Sequence, residues 1–247
     1  SIPSLCLFAQ REGLLFCSLD SWYKYKKIFE WIRPRELKRE KATWTGIRAN
    51  AANEIWHIDV TQVKLANKQK VYVQAIYDNF SRYVLAWKVS TDVSAMNSVE
   101  LIISAKSRAT ELGNKALPKL MSDGGPENDN HKVLNFINSK NIQRMIARVD
   151  IHFSNSMVES LFRMLKSNFL RFEVLKTQRD VERKIDFYFS EHNDVVPRHA
   201  FGGATPQEKF LNTWSELNTK ELKDGLFAAA LRRKSDHLKK SCSLCKN

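Results

Sequence analysis

The sequence lacks the features of secreted proteins and of membrane proteins. Only four of its 247 residues are cysteine, which is too few for a disulfide-stabilised scaffold and is typical of a reducing compartment. No apolar run approaches the ~18 residues of a membrane-spanning helix, and the first residues do not have the layout of a signal peptide. Internal repeats and low-complexity tracts are also missing. We therefore expect a soluble, intracellular protein without a membrane partner.

The four cysteines give one indication of a metal site. Cys242 and Cys245 have the C-x-x-C spacing of zinc and redox sites. No second closely spaced pair accompanies them, since ten residues separate Cys6 from Cys17. We interpret all four as free thiols, and the sequence does not decide whether Cys242 and Cys245 bind a metal.

Positive charge is what the sequence has in excess. With 40 Lys and Arg against 27 Asp and Glu, the formal net charge is +13, and the pI is about 9.6. Such a surplus favours a polyanionic partner, most simply nucleic acid, and the alternative is a generally basic protein. The charge is concentrated in two segments, because residues 24–41 hold eight Lys or Arg against three Glu and residues 231–246 are nearly as basic.

Composition and periodicity divide the chain into three parts. Residues 1–52 indicate a helical, basic region with a linker, which is a candidate for DNA binding, and a Ser-capped helix is predicted within residues 18–29. Residues 53–212 have the pattern of an α/β domain. Residues 213–247 predict a basic C-terminal helix and tail.

The middle part alternates strand and helix patterns. Residues 55–65 have the alternating apolar positions of a strand, and residues 71–90 predict two more strands joined by a turn at residues 78–82. A helix with Ser94 as its N-cap and Gly113 as its end follows. Further elements are predicted at residues 119–125, 130–140, 142–147, 156–172 and 179–193. The order βββαβαβα predicts an α/β fold with a mixed five-stranded sheet and helices on its faces.

Three carboxylates occur at elements that this order can bring together. Asp59 lies in the first strand, where a charge is costly to bury unless it is paired or binds a metal. Asp123 ends the fourth strand at a glycine turn, and ligands gather at the carboxyl ends of strands in α/β sheets. Glu159 begins a later helix. Carboxylates without histidine or thiolate match Mg²⁺ or Mn²⁺, and two such ions suit phosphoryl transfer.

Each acid also has a purely structural interpretation. Asp59 could pair with a buried basic group, and Asp123 could favour a turn. Ser156 and Glu159 fit the capping box S-x-x-E, in which the Glu side chain binds the N-cap amide. Glu159 and Arg163 at i+4 would make a helix-stabilising pair worth roughly 0.2–0.5 kcal/mol. The residues alone leave both interpretations open.

The spacing of the acids and several sequence blocks resemble a known family. There are 63 residues between Asp59 and Asp123 and 35 between Asp123 and Glu159. The matching blocks, in order, are NEIWHIDVTQVK, YDNFSRYVLAWKVS, SDGGPEN, DIHFSNSMVESLFRMLK, EHNDVVPR and ATPQEKF. Through them, residues 53–210 resemble the DDE transposases of bacterial insertion sequences, which have a catalytic core of the retroviral-integrase type.

The resemblance implies an RNase H-like fold and a metal-dependent polynucleotidyl transferase. Asp59, Asp123 and Glu159 are implied to be catalytic and to bind Mg²⁺, with Mn²⁺ as a substitute and with two ions together. Lys166, seven residues after Glu159, is implied to contact DNA near the reacting phosphate, and Arg163 to share this role.

Other polar residues are expected to have supporting or structural roles. Asn155 resembles a loop residue near the scissile DNA, and His152 in the same loop is expected to touch DNA. His57 shares a strand face with Asp59 and is expected to support it. Structural roles are expected for Asp78, Asn79, Arg82, His192 and Asn193.

The implied function is cleavage at transposon ends and strand transfer of the 3′-hydroxyl into target DNA. A homo-oligomer on DNA, a partner subunit from an upstream reading frame and a cytoplasmic, nucleoid-associated location in a bacterium are implied with it. The alternatives are an RNase H-like nuclease without joining activity and an inactive, transposase-derived DNA-binding protein. Because the chain begins with Ser1 and not Met, a truncated remnant also stays open.

Overall fold

The computed structural model describes residues 1–31, 47–113, 117–122, 131–139, 142–146 and 156–244. Contacts group the chain into two compact units, one formed by Ser1–Ala42 with Val195–Asn247 and the other by Thr43–Asp194. Residues 195–212 thus group with the two ends of the chain. The predicted three-part division, with a core at residues 53–212, stays a prediction.

The unit Thr43–Asp194 is built on a mixed sheet. Its strands are β1 (Ile55–Lys64), β2 (Lys70–Asp78), β3 (Val84–Ser90), β4 (Lys119–Ser122) and β5 (Gln143–Ile146). The spatial order is β3-β2-β1-β4-β5. Strands β1, β2 and β3 form an antiparallel meander, and β4 and β5 continue the sheet parallel to β1. The predicted mixed five-stranded sheet is confirmed.

The helices come between and around these strands. They are α1 (Ile2–Arg11), α2 (Leu19–Ile28), α3 (Ala95–Glu111), α4 (His131–Ser139), α5 (Ser156–Asn168), α6 (Gln178–Ser190), α7 (Pro206–Leu211) and α8 (Glu216–Leu244). The side chain of Ser94 accepts a hydrogen bond from the amide of Asn97 and caps α3. Gly113 follows this helix with a φ of +82°, which glycine adopts without a steric penalty. Both predicted ends of α3 are confirmed.

One face of the sheet packs against α5 and α6. Successive side chains alternate between the two faces of a strand, so His57, Asp59 and Val63 of β1 share a face. Val63 belongs to the buried core on that face, together with apolar residues of β2, β3, α5 and α6. From α5 the core takes Val158, Leu161, Phe162 and Leu165. Burying each such side chain stabilises the fold by about 1.5–3 kcal/mol, and this fixes which side of α5 is turned away from the sheet.

A hydrogen-bonded turn joins β2 to β3. The carboxylate of Asp78 accepts hydrogen bonds from the amide of Asn53 at 2.8 Å and from the amide and hydroxyl of Ser81 at 2.7 and 2.6 Å. The amide of Arg82 donates to the carbonyl of Asp78 at 3.0 Å. The predicted turn with its own hydrogen bonds is confirmed.

The segment after α6 forms hydrogen bonds to the backbone of this hairpin. The Nε2 atom of His192 lies 2.8 Å from the carbonyl oxygen of Arg82. The amide side chain of Asn193 binds both the N–H and the carbonyl of Val84, each at 2.9 Å. The structural roles predicted for His192 and Asn193 are confirmed.

The other unit contains α1, α2, α7 and α8. In it, Arg11 donates to both carboxylate oxygens of Glu208 at 2.7 and 2.6 Å. Ser18 caps α2 by accepting a hydrogen bond from the amide of Ser21, as predicted. Among the residues that the structure describes, no helix combines the length and the hydropathy needed to cross a membrane.

Candidate active site

Asp59 lies near the middle of β1, on the face that α5 covers. Its Cα is opposite that of Ala75 in β2, and its Oδ1 accepts a hydrogen bond from the amide of Val60 at 2.8 Å. On the other side of β1, Ser122 at the end of β4 is opposite Ile58. The carboxyl end of β4 therefore reaches the level of Asp59.

Asp59 and Glu159 line the same pocket between β1 and α5. The pocket has a volume of about 560 Å³ and is lined by Asp59, Val60, Thr61, Glu159, Phe162, Arg163, Lys166, Ser167 and Arg171. Burial lowers the pKa of Lys166, while the negative charge of Asp59 raises it again in part. Two carboxylates and three cationic side chains thus share one cavity, an arrangement that can hold a metal cation beside a phosphate.

Glu159 lies in the first turn of α5, which begins at Ser156. The guanidinium of Arg163 hydrogen-bonds to the hydroxyl of Ser160 at 3.4 Å, and no ion pair joins it to Glu159, both residues being described. The exposed carboxylate of Glu159 is therefore available to a ligand of the pocket.

His57 lies on the same strand face but has a different neighbour. It is buried, and its Nε2 is 2.7 Å from the side-chain nitrogen of Asn79. That amide also donates to the carbonyl of Ile47 at 3.1 Å, so His57 helps to attach the segment before β1. The predicted support of Asp59 stays a prediction.

Several predicted residues lie outside the described part of the chain. They are Asp123, His152, Asn155 and Cys245, and the side chain of Cys242 is not described either. The roles predicted for them stay predictions.

Five lining residues were missed by the sequence analysis, and Thr61 and Arg171 are two of them. Thr61 is two residues after Asp59 and so shares its strand face, a signal that the period of a strand supplies. Arg171 comes after the end of α5, in a short 3₁₀ turn at Leu170–Phe172. A helical pattern continued from Glu159 could not have located it, because the backbone changes direction there.

The donor set of the pocket fits a hard divalent cation. Asp59 and Glu159 offer carboxylate oxygens, and the described residues that line the cavity include no cysteine or histidine. Mg²⁺ prefers oxygen ligands of this kind and is commonly held by one or two carboxylates. Within the described ranges no group of three His, Cys, Asp or Glu side chains is gathered, and the third predicted acid lies outside them.

Comparison with known proteins gives a family match for the part of the chain that includes Asp59. Residues 49–150 match the family model of the integrase core domain. The resemblance of this chain to transposases and integrases of this core type is confirmed.

Curated relatives of this chain include a transposase-like protein and a probable transposase. An uncharacterised transposase-like protein of Haemophilus influenzae is 28% identical over 190 residues, which cover 77% of this chain and 83% of that protein. A probable transposase of an insertion sequence element of Shigella flexneri is 26% identical over 162 residues, 65% of this chain and 31% of that protein.

Solved structures share the fold of the integrase core. The catalytic core domain of HTLV-2 integrase, in complex with magnesium, has a TM-score of 0.52 and 20% identity over 66% of this chain and 99% of that chain. A chain of the simian T-cell lymphotropic virus intasome has a TM-score of 0.56 and 17% identity, over 85% of this chain and 74% of that chain. The RNase H-like fold that the resemblance implied is confirmed.

Proposed function

We propose that this protein is a DDE transposase that cuts DNA at the ends of a mobile element and joins the 3′-hydroxyl to target DNA. The observation that carries the proposal is the pocket in which Asp59 of β1 and Glu159 of α5 stand together with Arg163 and Lys166. An acid pair beside cations suits a reaction in which a phosphodiester is held, attacked and released. The integrase core domain supports the same reaction class.

Asp59, Asp123 and Glu159 would hold the metal, two Mg²⁺ ions that Mn²⁺ can replace. Asp123 follows Ser122 directly, so their Cα atoms are only about 3.8 Å apart. Because Ser122 is opposite Ile58 in the sheet, this supports a place for Asp123 beside Asp59. Bound ions of this kind make the attacking hydroxyl a better nucleophile and stabilise the departing oxygen.

The cations of α5 would bind and orient the DNA. Arg163 and Lys166 follow Glu159 by one and two helical turns, so they can contact phosphates next to the one that reacts. The partial burial that lowers the pKa of Lys166 also strengthens its attraction to a phosphate, because less water screens the two charges. Asn155 and His152, which precede α5 in the chain, are proposed to approach the DNA, and His57 to support Asp59.

The proposal extends to the assembly. Bringing two element ends to one target requires more than one active site, so we propose a homo-oligomer on DNA, acting at the bacterial nucleoid. A partner subunit from an upstream reading frame is proposed to help recognise the ends. The formal net charge of +13 supports contacts with DNA beyond the pocket, including contacts of residues 1–52 and 213–247.

A Mn²⁺ soak of crystals tests the metal site. We expect anomalous scattering peaks in contact with Asp59 and Glu159, lost in Glu159→Gln and retained in Glu111→Gln, which removes an exposed carboxylate of α3. Asp123→Asn is expected to behave like Glu159→Gln. A wild-type protein without Mn²⁺ in this pocket, even with DNA present, would falsify the catalytic assignment.

A joining assay separates the proposal from its alternatives. Labelled duplexes are taken from the DNA that flanks the coding sequence and are mixed with a circular target. Labelled products longer than the substrate support strand transfer, whereas only shortened products favour a nuclease without joining activity. Binding without either product favours an inactive DNA-binding protein.

A further inference from the structure

Arg48 belongs to the segment before β1, and its side chain lies next to the start of α5. Its Nη1 atom is 3.9 Å from the sulfur of Met157, two residues before the proposed metal ligand of this helix. The backbone on both sides of Arg48 is held by one side chain, because Asn79 accepts from the amide of Ala49 at 2.7 Å and donates to the carbonyl of Ile47 at 3.1 Å. Since Asn79 belongs to the turn between β2 and β3, Arg48 is fixed relative to that turn.

Arg82 belongs to the same turn, three residues after Asn79. Its φ is +66°, a left-handed conformation that is uncommon for residues other than glycine. Its amide and its carbonyl are both engaged, with Asp78 and with His192. The half-buried side chain hydrogen-bonds to that of Tyr77. Arg82 is thus fixed in the same turn whose Asn79 holds the backbone on both sides of Arg48.

The two guanidinium groups repel each other. Desolvation lowers the pKa of Arg82, and the charge of Arg48 lowers it further, against the opposing effects of Tyr77 and Asp78. Asp78 is a poor counter-ion, since its carboxylate already accepts three hydrogen bonds. In the described part of the chain neither arginine forms an ion pair with an acid. An anion bound between the two would turn this repulsion into attraction.

We propose that Arg48 and Arg82 together hold one phosphate of the DNA backbone. The planar guanidinium matches the geometry of phosphate oxygens and binds them through two parallel hydrogen bonds. The site rests on the proposed function and deepens it. Along α5, Arg163 and Lys166 lie on the C-terminal side of Glu159, whereas Arg48 lies near Met157 on its N-terminal side. Phosphates bound by the two groups would therefore flank the carboxylates.

Binding measured without a divalent metal tests the pair separately from catalysis. The full chain is titrated against a fluorescein-labelled DNA duplex in EDTA, over a range of salt concentrations, and followed by anisotropy. The variants are Arg48→Gln, Arg82→Gln and the double variant, with Arg183→Gln as a matched control, since the Arg183 side chain is 74% exposed on α6.

We expect each single variant to bind roughly tenfold more weakly, the loss of a charge-assisted hydrogen bond. The double variant should lose less than the product of the two single effects, because both arginines hold one phosphate. Its slope of log K against log salt should fall by about 0.9, the value for one phosphate contact. The control should bind like the wild type.

Each other outcome overturns part of the reasoning. Single variants that bind like Arg183→Gln, or a double variant with fully additive losses, refute the shared phosphate. If the wild type cuts and joins DNA in either case, the proposed function survives and only this inference fails. A wild type that does not bind DNA refutes both. Should Arg82→Gln melt early, the exposed Arg48 still decides. Arg82→Lys is then expected to keep the salt slope of the wild type, because it keeps the charge, and to bind more weakly, because an ammonium cannot hold two phosphate oxygens in parallel.

Discussion

Removal of the Asp78 carboxylate is expected to destabilise the unit that carries the candidate active site. The side chain is completely buried, with 0% exposure. Its three hydrogen bonds connect the turn after β2 to Asn53, two residues before β1 begins. The same turn carries Asn79 and Arg82, so Asp78 supports the positions of β1, of the segment before it and of the proposed phosphate site.

The magnitude follows from the donors that would be left without a partner. Asp78→Ala leaves the amide of Asn53 and the amide and hydroxyl of Ser81 without an acceptor, and these residues are 1% and 0% exposed. An unsatisfied buried donor costs about 1–3 kcal/mol, which gives about 3–9 kcal/mol for three. Part of this is offset, because burial of the carboxylate is itself unfavourable and raises the pKa of Asp78. We expect a net loss of about 3–5 kcal/mol in the free energy of unfolding.

Urea unfolding followed by tryptophan fluorescence measures this loss. The buried Trp56 donates its indole N–H to the side chain of Asn53 at 2.8 Å, so it reports on the same region. The midpoint should fall at an unchanged m-value. Asp186→Asn, an exposed acid of α6, should change the stability by no more than about 0.5 kcal/mol. If Asp78→Ala unfolds within about 1 kcal/mol of the wild type, the hydrogen-bond reasoning is wrong.

Two further predictions concern ion pairs and DNA. Burial alone would raise the pKa of Glu208, but hydrogen bonds from Arg11 and from the backbone outweigh it and lower the pKa. The stabilisation that the Glu208 carboxylate gives is therefore present above its unfolded pKa and is lost as the pH falls through its folded pKa. Glu208→Gln should lower the free energy of unfolding by about 1 kcal/mol at neutral pH and leave it unchanged in acid. A loss that persists in acid would contradict the ion pair. Lys166→Ala should lower the slope of log K against log salt for DNA binding by about 0.9. Lys176→Ala, outside the pocket, should leave this slope unchanged. Equal slopes for both variants would argue against the phosphate contact.

Local features of the chain could be predicted from the sequence. The alternating pattern at residues 55–65 became β1 with nearly the same ends, and Ser94 and Gly113 marked the ends of α3. These signals are local, because the side chains of a strand alternate between its faces at every residue and a helix cap acts within one turn. A few neighbouring residues are therefore enough to recognise them. The element predicted at residues 156–172 likewise became α5, although the helix ends earlier, at Asn168.

The roles of the acids could be predicted from the sequence only in part. Spacing and resemblance singled out Asp59 and Glu159, but the letters S-x-x-E around Ser156 equally fitted a helix cap. The structure adds that Glu159 lines one pocket with Asp59. That pocket depends on the packing of α5 against the sheet, which no local pattern records.

By itself, then, the sequence determined the kinds of elements, their order and the acids worth examining. Only the tertiary structure decided that Asp59 and Glu159, 100 residues apart in the chain, share one pocket. It also decided that Asn79 of a hairpin turn holds the backbone on both sides of Arg48. The reason is physical. Such neighbours are brought together by strand pairing and by burial of apolar faces, which depend on the whole unit, whereas their own side chains contribute little to the folding that places them.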